Sequence, residues 1–344
     1  MALSTRSKAV LASVSAVVVV AAAGIGYLMF TGQSDAIPFL GGTRDPVSCP
    51  LTGEEAANPD LAGRTVLAVK IENSPESRPQ AGLNEADVVY EEPVEGGITR
   101  FIALYLCQTA ERVGPIRSAR FVDPVIVSQY GPAVFAYSGG IPQVINDIAS
   151  AGLQDVGYDT HPDAYTLDPN RSAPHNVYSS TRTLFRAGSD RGSPPEAVFE
   201  YDEEPPARQG SRRGRELHLE FSSSSDVYWR YQRNQDRYVR LHGETAHTAE
   251  DGQQVAAANV VVMQVELRDT GIVDAAGNPS PEVVAVGRGR AWILRNGRVI
   301  EGEWRRGAEG DVTELVDDAG EVIPLAPGTT WVELFPSDLE VEIG

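Results

Sequence analysis

Five carboxylates crowd one short stretch of the chain: Glu85, Asp87, Glu91, Glu92 and Glu95. On an extended strand residues two apart share a face, so Glu85 aligns with Asp87, and Glu91 with Glu95 if the strand persists. Two facing carboxyls can divide the roles of acid and base, because the charge of one holds the proton on the other. At a separation of about 5–9 Å such a pair suits glycoside hydrolysis. Glu91 and Glu95 are therefore the candidate catalytic acids. His175, set between Pro174 and Asn176, is a candidate general base or ligand-binding group. The plainer reading is an acidic edge that pairs with arginines, and a histidine that holds a loop.

Arginines supply the complementary chemistry. Arg78, Arg100, Arg117 and Arg120 lie in or beside the same polar loops, and guanidinium forks bind phosphate or carboxylate in bidentate fashion. Asn73 and Gln80 add amides. The run PAVFAYSGGIPQVINDIAS reads as a strand, a small-residue turn at Ser138, Gly139 and Gly140, and a helix from about Pro142 to Ser150. Such a turn leaves free N–H groups at the positive end of the helix dipole, where an anion can sit, although a tight connection also needs glycine. The ligand-binding set expected from this pattern is Asn73, Arg78, Gln80, Arg100, Arg117, Arg120, Gly139, Gly140, His175 and Asn176. The competing reading consumes these arginines in internal ion pairs with the five acids.

Other chemistries find less support. Ser118 and Ser138 lie in no nucleophile-elbow pattern. His161 has Asp159 and Asp163 nearby, but that spacing does not make a metal site, and neither metal nor cofactor is expected. Trp229, Tyr231, Trp292, Trp304 and Trp331 could form a carbohydrate platform, or simply a sandwich core.

Short strands must position these groups. Thr65 to Ile71, Val88 to Tyr90 and Ile98 to Cys107 have the length and β-branched or aromatic content of strands, and Ala133 to Tyr137 adds another. FVDPVIVSQY suits a short helix with Pro124 in its first turn, and a second helix follows an N-cap at Ser179 or Ser180. The segment from Asp155 to Asn176 reads as an irregular loop. Pro, Gly and mixed charges mark an interdomain connection over 191–215, with one short strand at Ala197 to Tyr201. Beyond it, nine alternating runs from ELHLEF to TTWVELF, with turns such as Asn296-Gly297, suit a sandwich or small barrel. The fold class expected is an α+β N-terminal domain with a mixed sheet over 49–190, followed by an all-β, sandwich or barrel-like C-terminal domain over 216–344.

The chain has 344 residues, 48 acidic against 29 basic, and a net charge of −19. That balance argues against a sequence-independent nucleic-acid binder. Lys8 and Lys70 are its only lysines. Arg6 and Lys8 precede an apolar run from Ala9 to Phe30, long enough to cross a bilayer and oriented with its cationic flank inside. Residues 1–32 are thus expected to be an uncleaved single-pass transmembrane anchor, or else a signal cut near Ala21 to Ala23, with 33–48 a tether and the bulk of the chain extracytoplasmic. Cys49 and Cys107 are the only cysteines. An exported chain favours a disulfide between them, with two buried thiols as the alternative.

The strings IENSPESRPQAGLNEADVVYEEPVEGGITR, VGPIRSAR, APHN, NVVVMQ and PGTTWVELFP, in that order, resemble the YerB-like family of bacterial extracytoplasmic lipoproteins, a family of unknown function with two named domains. The resemblance runs from about Cys49 to the C-terminus. It implies an α+β first domain and a β-rich second one on the outer face of the membrane, and supplies no catalytic residues or substrate. No cysteine directly follows the apolar run, so attachment departs from the lipid-modified pattern while the compartment does not. Three functions fit: binding of a cell-wall fragment or other anionic or carbohydrate-like envelope ligand without chemistry, a cell-wall hydrolase using Glu91 or Glu95 with His175, or a scaffold that docks an envelope protein partner.

Overall fold

The computed structural model describes residues 47–189, 194–204, 211–274 and 277–344. The expected anchor at Ala9 to Phe30 lies outside them, as does the tether before Val47. Among the described residues no helix is long and apolar enough to cross a membrane.

Strands β1 (Leu67–Glu72), β2 (Val88–Pro93) and β3 (Thr99–Tyr105) form an antiparallel set with β3 in the middle. Strand β4 (Val134–Ala136) runs parallel to β1, and β5 (Gln154–Asp155) parallel to β4, with the helix Pro142–Ser150 between them. The helix Val122–Ser128 precedes β4. A small hairpin, β6 (Thr166–Leu167) with β7 (Val177–Tyr178), interrupts the expected loop. It leads into the helix Thr181–Ala187, where the Ser180 hydroxyl accepts the Thr183 N–H.

The rest of the chain is β-rich. Strand β8 (Arg212–Arg213) pairs with a later strand. Strands β9 (Glu216–Ser222), β10 (Ser225–Gln232), β11 (Arg237–His242), β12 (Thr245–Ala246) and β13 (Ala256–Ala257) form a small antiparallel sheet, completed by the terminal β20 (Glu342–Ile343). Between these come β14 (Asn259–Val273), β15 (Pro279–Val284), β16 (Gly287–Arg295), β17 (Arg298–Arg306), β18 (Glu314–Val316) and β19 (Thr330–Pro336). The β16–β17 hairpin turns at Asn296 and Gly297, both with positive φ (51° and 68°), which is the conformation a two-residue type I′ turn requires.

Strand β19 connects the two parts. It lies parallel between β14 and β2, with Val332 beside Val261 and Glu333 beside Glu91. One twelve-stranded mixed sheet results, in the order β18-β17-β16-β14-β19-β2-β3-β1-β4-β5, with β15 and β8 off that path. Every residue of β1, β3 and β19 is buried, as befits central strands covered on both faces. Val88, Tyr90, Ile102, Leu104, Val332 and Leu334 face the helices Val122–Ser128 and Pro142–Ser150. Val89, Phe101, Ala103, Trp331 and Phe335 face the small sheet and the helix Thr181–Ala187.

The fold is thus α+β with a mixed sheet, followed by antiparallel β-structure. The C-terminal strands form open sheets, with no closed barrel among the described residues. One expectation is corrected. The strand expected at Ala197 to Tyr201 is a strap making a single bridge, Tyr201 to Leu325. Its Val198 and Phe199 are held by burial in the helix-side core. Cys49 and Cys107 form a disulfide, with Cα atoms 6.1 Å apart, which fastens the turn-rich start of the fold to the end of β3.

Candidate functional site

The alternation that builds the core also sorts the polar residues at one end of β1, β2 and β3. Glu72 and Glu92 both lie opposite Arg100 in register, so these three, with Lys70, share the helix-side face. Glu91, its β19 neighbour Glu333 and Thr99 take the other. The dipeptide Glu91-Glu92 therefore supplies one carboxylate to each of two separate clusters.

On the small-sheet side Glu91 is fully buried. Arg240 Nη2 donates to both of its oxygens at 2.9 and 2.6 Å, and the Thr99 hydroxyl donates at 2.6 Å. Asn73 Nδ2 donates to Thr99 Oγ1 at 2.8 Å. Arg240 also reaches His247 Nδ1 at 2.9 Å, and His247 Nε2 meets Gln80 Oε1 at 2.9 Å. Glu333 accepts from Trp229 Nε1 at 2.7 Å. Burial, and then the charge of Glu91, push its carboxyl well above the ordinary range. Burial and the Arg240 charge hold His247 and His242 far below theirs, so both rings are neutral. This cluster is a closed polar core. A groove of about 510 Å³ opens at its margin, beside Arg78, His242 and His247.

The helix-side cluster opens outward. Glu72 is nearly buried, with His175 Nδ1 2.8 Å from one oxygen and Arg117 Nε 3.1 Å from the other. His175 and Arg117 each keep about a quarter of their side chains exposed. The backbone aligns these groups. Ile116 bridges Ile71, and the Arg117 N–H donates to Lys70 O at 2.9 Å. Ser138 donates to Arg117 O at 2.9 Å, and Ala119 to Gly139 O at 3.0 Å, which brings the glycine turn against the same loop. Cis peptide bonds precede Pro79, Pro115 and Pro174, beside Arg78, Arg117 and His175.

Three guanidiniums meet here. Arg120 Nε and Nη2 both donate to Glu95 Oε2, at 2.8 and 2.7 Å. Burial favours the neutral form of Glu95, but Arg120 and the Ser280 hydroxyl outweigh it and hold the carboxyl below its usual range. Arg100 is different. It is almost fully buried, donates only to Ser118 O at 3.0 Å, and its Nε has no partner. Burial, then the charges of Arg120 and Arg117, lower its pKa to about 10. Among the described residues no carboxylate lies within ion-pair distance of it. A cavity of about 220 Å³ opens beside Arg120, lined by Glu95, Ser118, Arg120, Gly140, Asp274 and Ser280 among others; Arg100, Arg117 and His175 do not line it.

The residues singled out in the sequence fall into these places. Asn73, Gln80 and Glu91 belong to the closed core. Arg100, Arg117, Arg120, Gly139, Gly140 and His175 gather on the open side, with Glu95 engaged by Arg120. Arg78 spans the margin. Its Nη2 donates to Asn73 O at 2.9 Å, and burial followed by the Arg240 charge lowers its pKa to about 10. Asn176 is a backbone acceptor for the Asp168 N–H at 2.8 Å. All four tryptophans are buried in the core, so they form no exposed sugar-binding platform. Sequence reasoning missed Glu72 as the partner of His175, and it missed Arg240, His247 and Glu333 altogether. Glu333 carried a usable signal, a single charge inside the otherwise apolar β19, whereas Arg240 shares β11 with Arg237 and His242 and carried none.

Residues 51–193 match the N-terminal domain, and residues 217–332 the C-terminal domain, of the family described as "Protein of unknown function (DUF3048)". The chain belongs to that family. It is 28% identical over 314 residues to a Bacillus subtilis (strain 168) protein named "Putative lipoprotein YerB", covering 88% of this chain and 90% of that one. It also resembles a crystal structure of the YerB protein from Bacillus subtilis, with a TM-score of 0.72 and 24% identity over 86% of this chain and 99% of that one. This second likeness bears on the fold.

Proposed function

We propose that this protein is a membrane-anchored, extracytoplasmic component of the cell envelope that binds an anionic envelope ligand at the open cluster of Arg100, Arg117, Arg120 and His175. The lipoprotein name of its relative, the apolar run after Arg6 and Lys8, and the disulfide of an oxidising compartment support the location. The observation that carries the binding reading is Arg100. A buried cation with no carboxylate at ion-pair distance is costly in the free protein; two further guanidiniums beside it raise that cost, and the more distant Glu95 and Glu72 offset it only in part. A phosphate or carboxylate in the cavity beside Arg120 would add counter-charge to the group.

The test is a thermal-shift titration of the full chain with inorganic phosphate, poly(glycerol phosphate) and soluble peptidoglycan fragments. An anionic probe that binds the native state raises its apparent stability by mass action. We expect a shift that Arg117→Ala weakens and Arg100→Met abolishes. Arg100→Met should leave the unliganded protein at least as stable as the wild type, since it removes a buried charge that has no carboxylate at ion-pair distance. An undiminished shift in Arg100→Met, or no shift with any anionic probe, would reject this site.

A second reading rests on the 2.8 Å contact between Glu72 and His175 Nδ1. A carboxylate on Nδ1 fixes the ring and leaves Nε2 free to act as a general base, so wall-fragment hydrolysis fits the same cleft. It requires that the peptidoglycan fragments be cut in the same incubations and left intact by His175→Gln. Unchanged fragment masses with the wild type reject it.

A further inference from the structure

Lys70 is the one lysine beyond Lys8 in a chain that otherwise carries its cations on arginine. It is fully buried on β1, its Nζ in contact with Glu92 Oε1 and 2.7 Å from Asp123 Oδ1. Both carboxyl side chains are fully buried as well. Three elements meet at this point: β1, β2 and the first turn of the helix Val122–Ser128. An arginine here could only form ion pairs, because its guanidinium keeps its proton, whereas a desolvated amine can attack a carbonyl carbon.

The surroundings of Asp123 meet the needs of that attack. With Oδ1 at hydrogen-bond distance from Nζ, the carboxyl carbon is at most one bond further away, which is close to a near-attack separation. Oδ2 accepts the Arg120 N–H at 2.7 Å, a donor placed where charge would develop on a tetrahedral intermediate. Glu92 touches the amine through one oxygen, while the other has no hydrogen-bond partner. We infer that Lys70 and Asp123 condense to an intramolecular amide, with Glu92 as the proton carrier.

The step balances without a co-reactant. The Nζ–Cγ bond forms and the Cγ–Oδ1 bond breaks. The ammonium and the carboxylate together become a neutral amide and one water. Nζ gives up two protons, Glu92 relays them, and Oδ1 leaves with both. Oδ2 remains as the amide carbonyl, still accepting from Arg120. Burial, then the charge of Asp123, raise the Glu92 carboxyl above its ordinary range against the pull of Lys70, which makes it readier to take up a proton than an exposed glutamate. Condensation also removes a buried charge pair whose desolvation is costly. The product fastens β1 to the helix Val122–Ser128 across the loop that carries Arg117 and Arg120.

The experiment is peptide mapping by mass spectrometry of the purified full chain, reduced and denatured before digestion. We expect a branched peptide containing Lys70 and Asp123, lighter by one water than its two linear parts, in most of the wild-type protein. Recovery of only the linear peptides overturns the bond. A branch from Lys70 to Glu92 overturns the assignment of Asp123 as acceptor. Glu92→Gln and Glu92→Asp test the relay: branching should be lost in the first and retained at least in part in the second. Full branching in Glu92→Gln overturns the role of Glu92. The wild-type result decides the bond itself, whether or not either variant folds.

Discussion

Arg240 of β11 holds both oxygens of Glu91 of β2 with one terminal nitrogen, at 2.9 and 2.6 Å, across 149 positions of the chain. Both side chains are fully buried. The contact joins the segment that matches the N-terminal family domain to the one that matches the C-terminal domain. It does so where Glu333 brings a second carboxyl beside Glu91. Arg240→Met would leave those acids without their counter-charge, and breaking a buried pair from one side costs about 3–5 kcal/mol. Urea unfolding should show that loss. The double variant Glu91→Leu/Arg240→Met should recover much of it, because two apolar side chains need no compensation. A single variant within about 1 kcal/mol of the wild type would mean that the pair does not hold the two parts together.

The disulfide acts elsewhere, on the unfolded chain. Cys49 and Cys107 are 58 positions apart. In the chain-entropy model, closing a loop of that size contributes about 4 kcal/mol. The double variant Cys49→Ser/Cys107→Ser, or the wild type in reductant, should therefore unfold at clearly lower denaturant. The two should agree, since each opens the same loop. A midpoint unchanged in both would show that native packing at the start of the fold replaces the cross-link.

Much of this architecture was legible in the sequence because strands announce themselves locally. The Val and Tyr content of VVYEEP, and the run TTWVELF with its single charge at Glu333, mark β2 and β19 without any knowledge of their neighbours. What this local pattern does not carry is which strands pair. Nothing in TTWVELF says that it runs parallel between β14 and β2, so Glu333 could not be set beside Glu91, nor Arg240 opposite both. For the same reason His175 could be named as a site residue while its partner was sought among Glu91 and Glu95. The register places both of those acids with other arginines and leaves Glu72 facing the histidine. Arg100 was visible as a charge in a strand. That it would lack a carboxylate follows only from where Glu92 and Glu95 spend theirs, on Lys70 and on Arg120.

Asp87 offers a pH test of the fold. Fully buried before β2, its Oδ2 accepts the N–H groups of Leu106, Cys107 and Gln108 at 2.5, 3.0 and 3.5 Å, while Oδ1 has no partner. Burial raises the carboxyl to about 6, against the pull of those N–H groups and of Arg64. The folded state therefore binds this proton more tightly than the unfolded chain, whose carboxyl titrates near its ordinary value of 3.8. The associated stability is present in full below about pH 4 and is lost as the pH rises through about 6. The slope between is about 1.4 kcal/mol per pH unit, so the loss approaches about 3 kcal/mol. Asp87→Asn keeps an acceptor for the three N–H groups but cannot titrate. The stability of the wild type relative to this variant should fall between pH 4 and 6.5, measured by denaturant unfolding at each pH. A difference that stays level, or grows with pH, would mean that Asp87 is ionised in the fold and that the three N–H groups outweigh its burial.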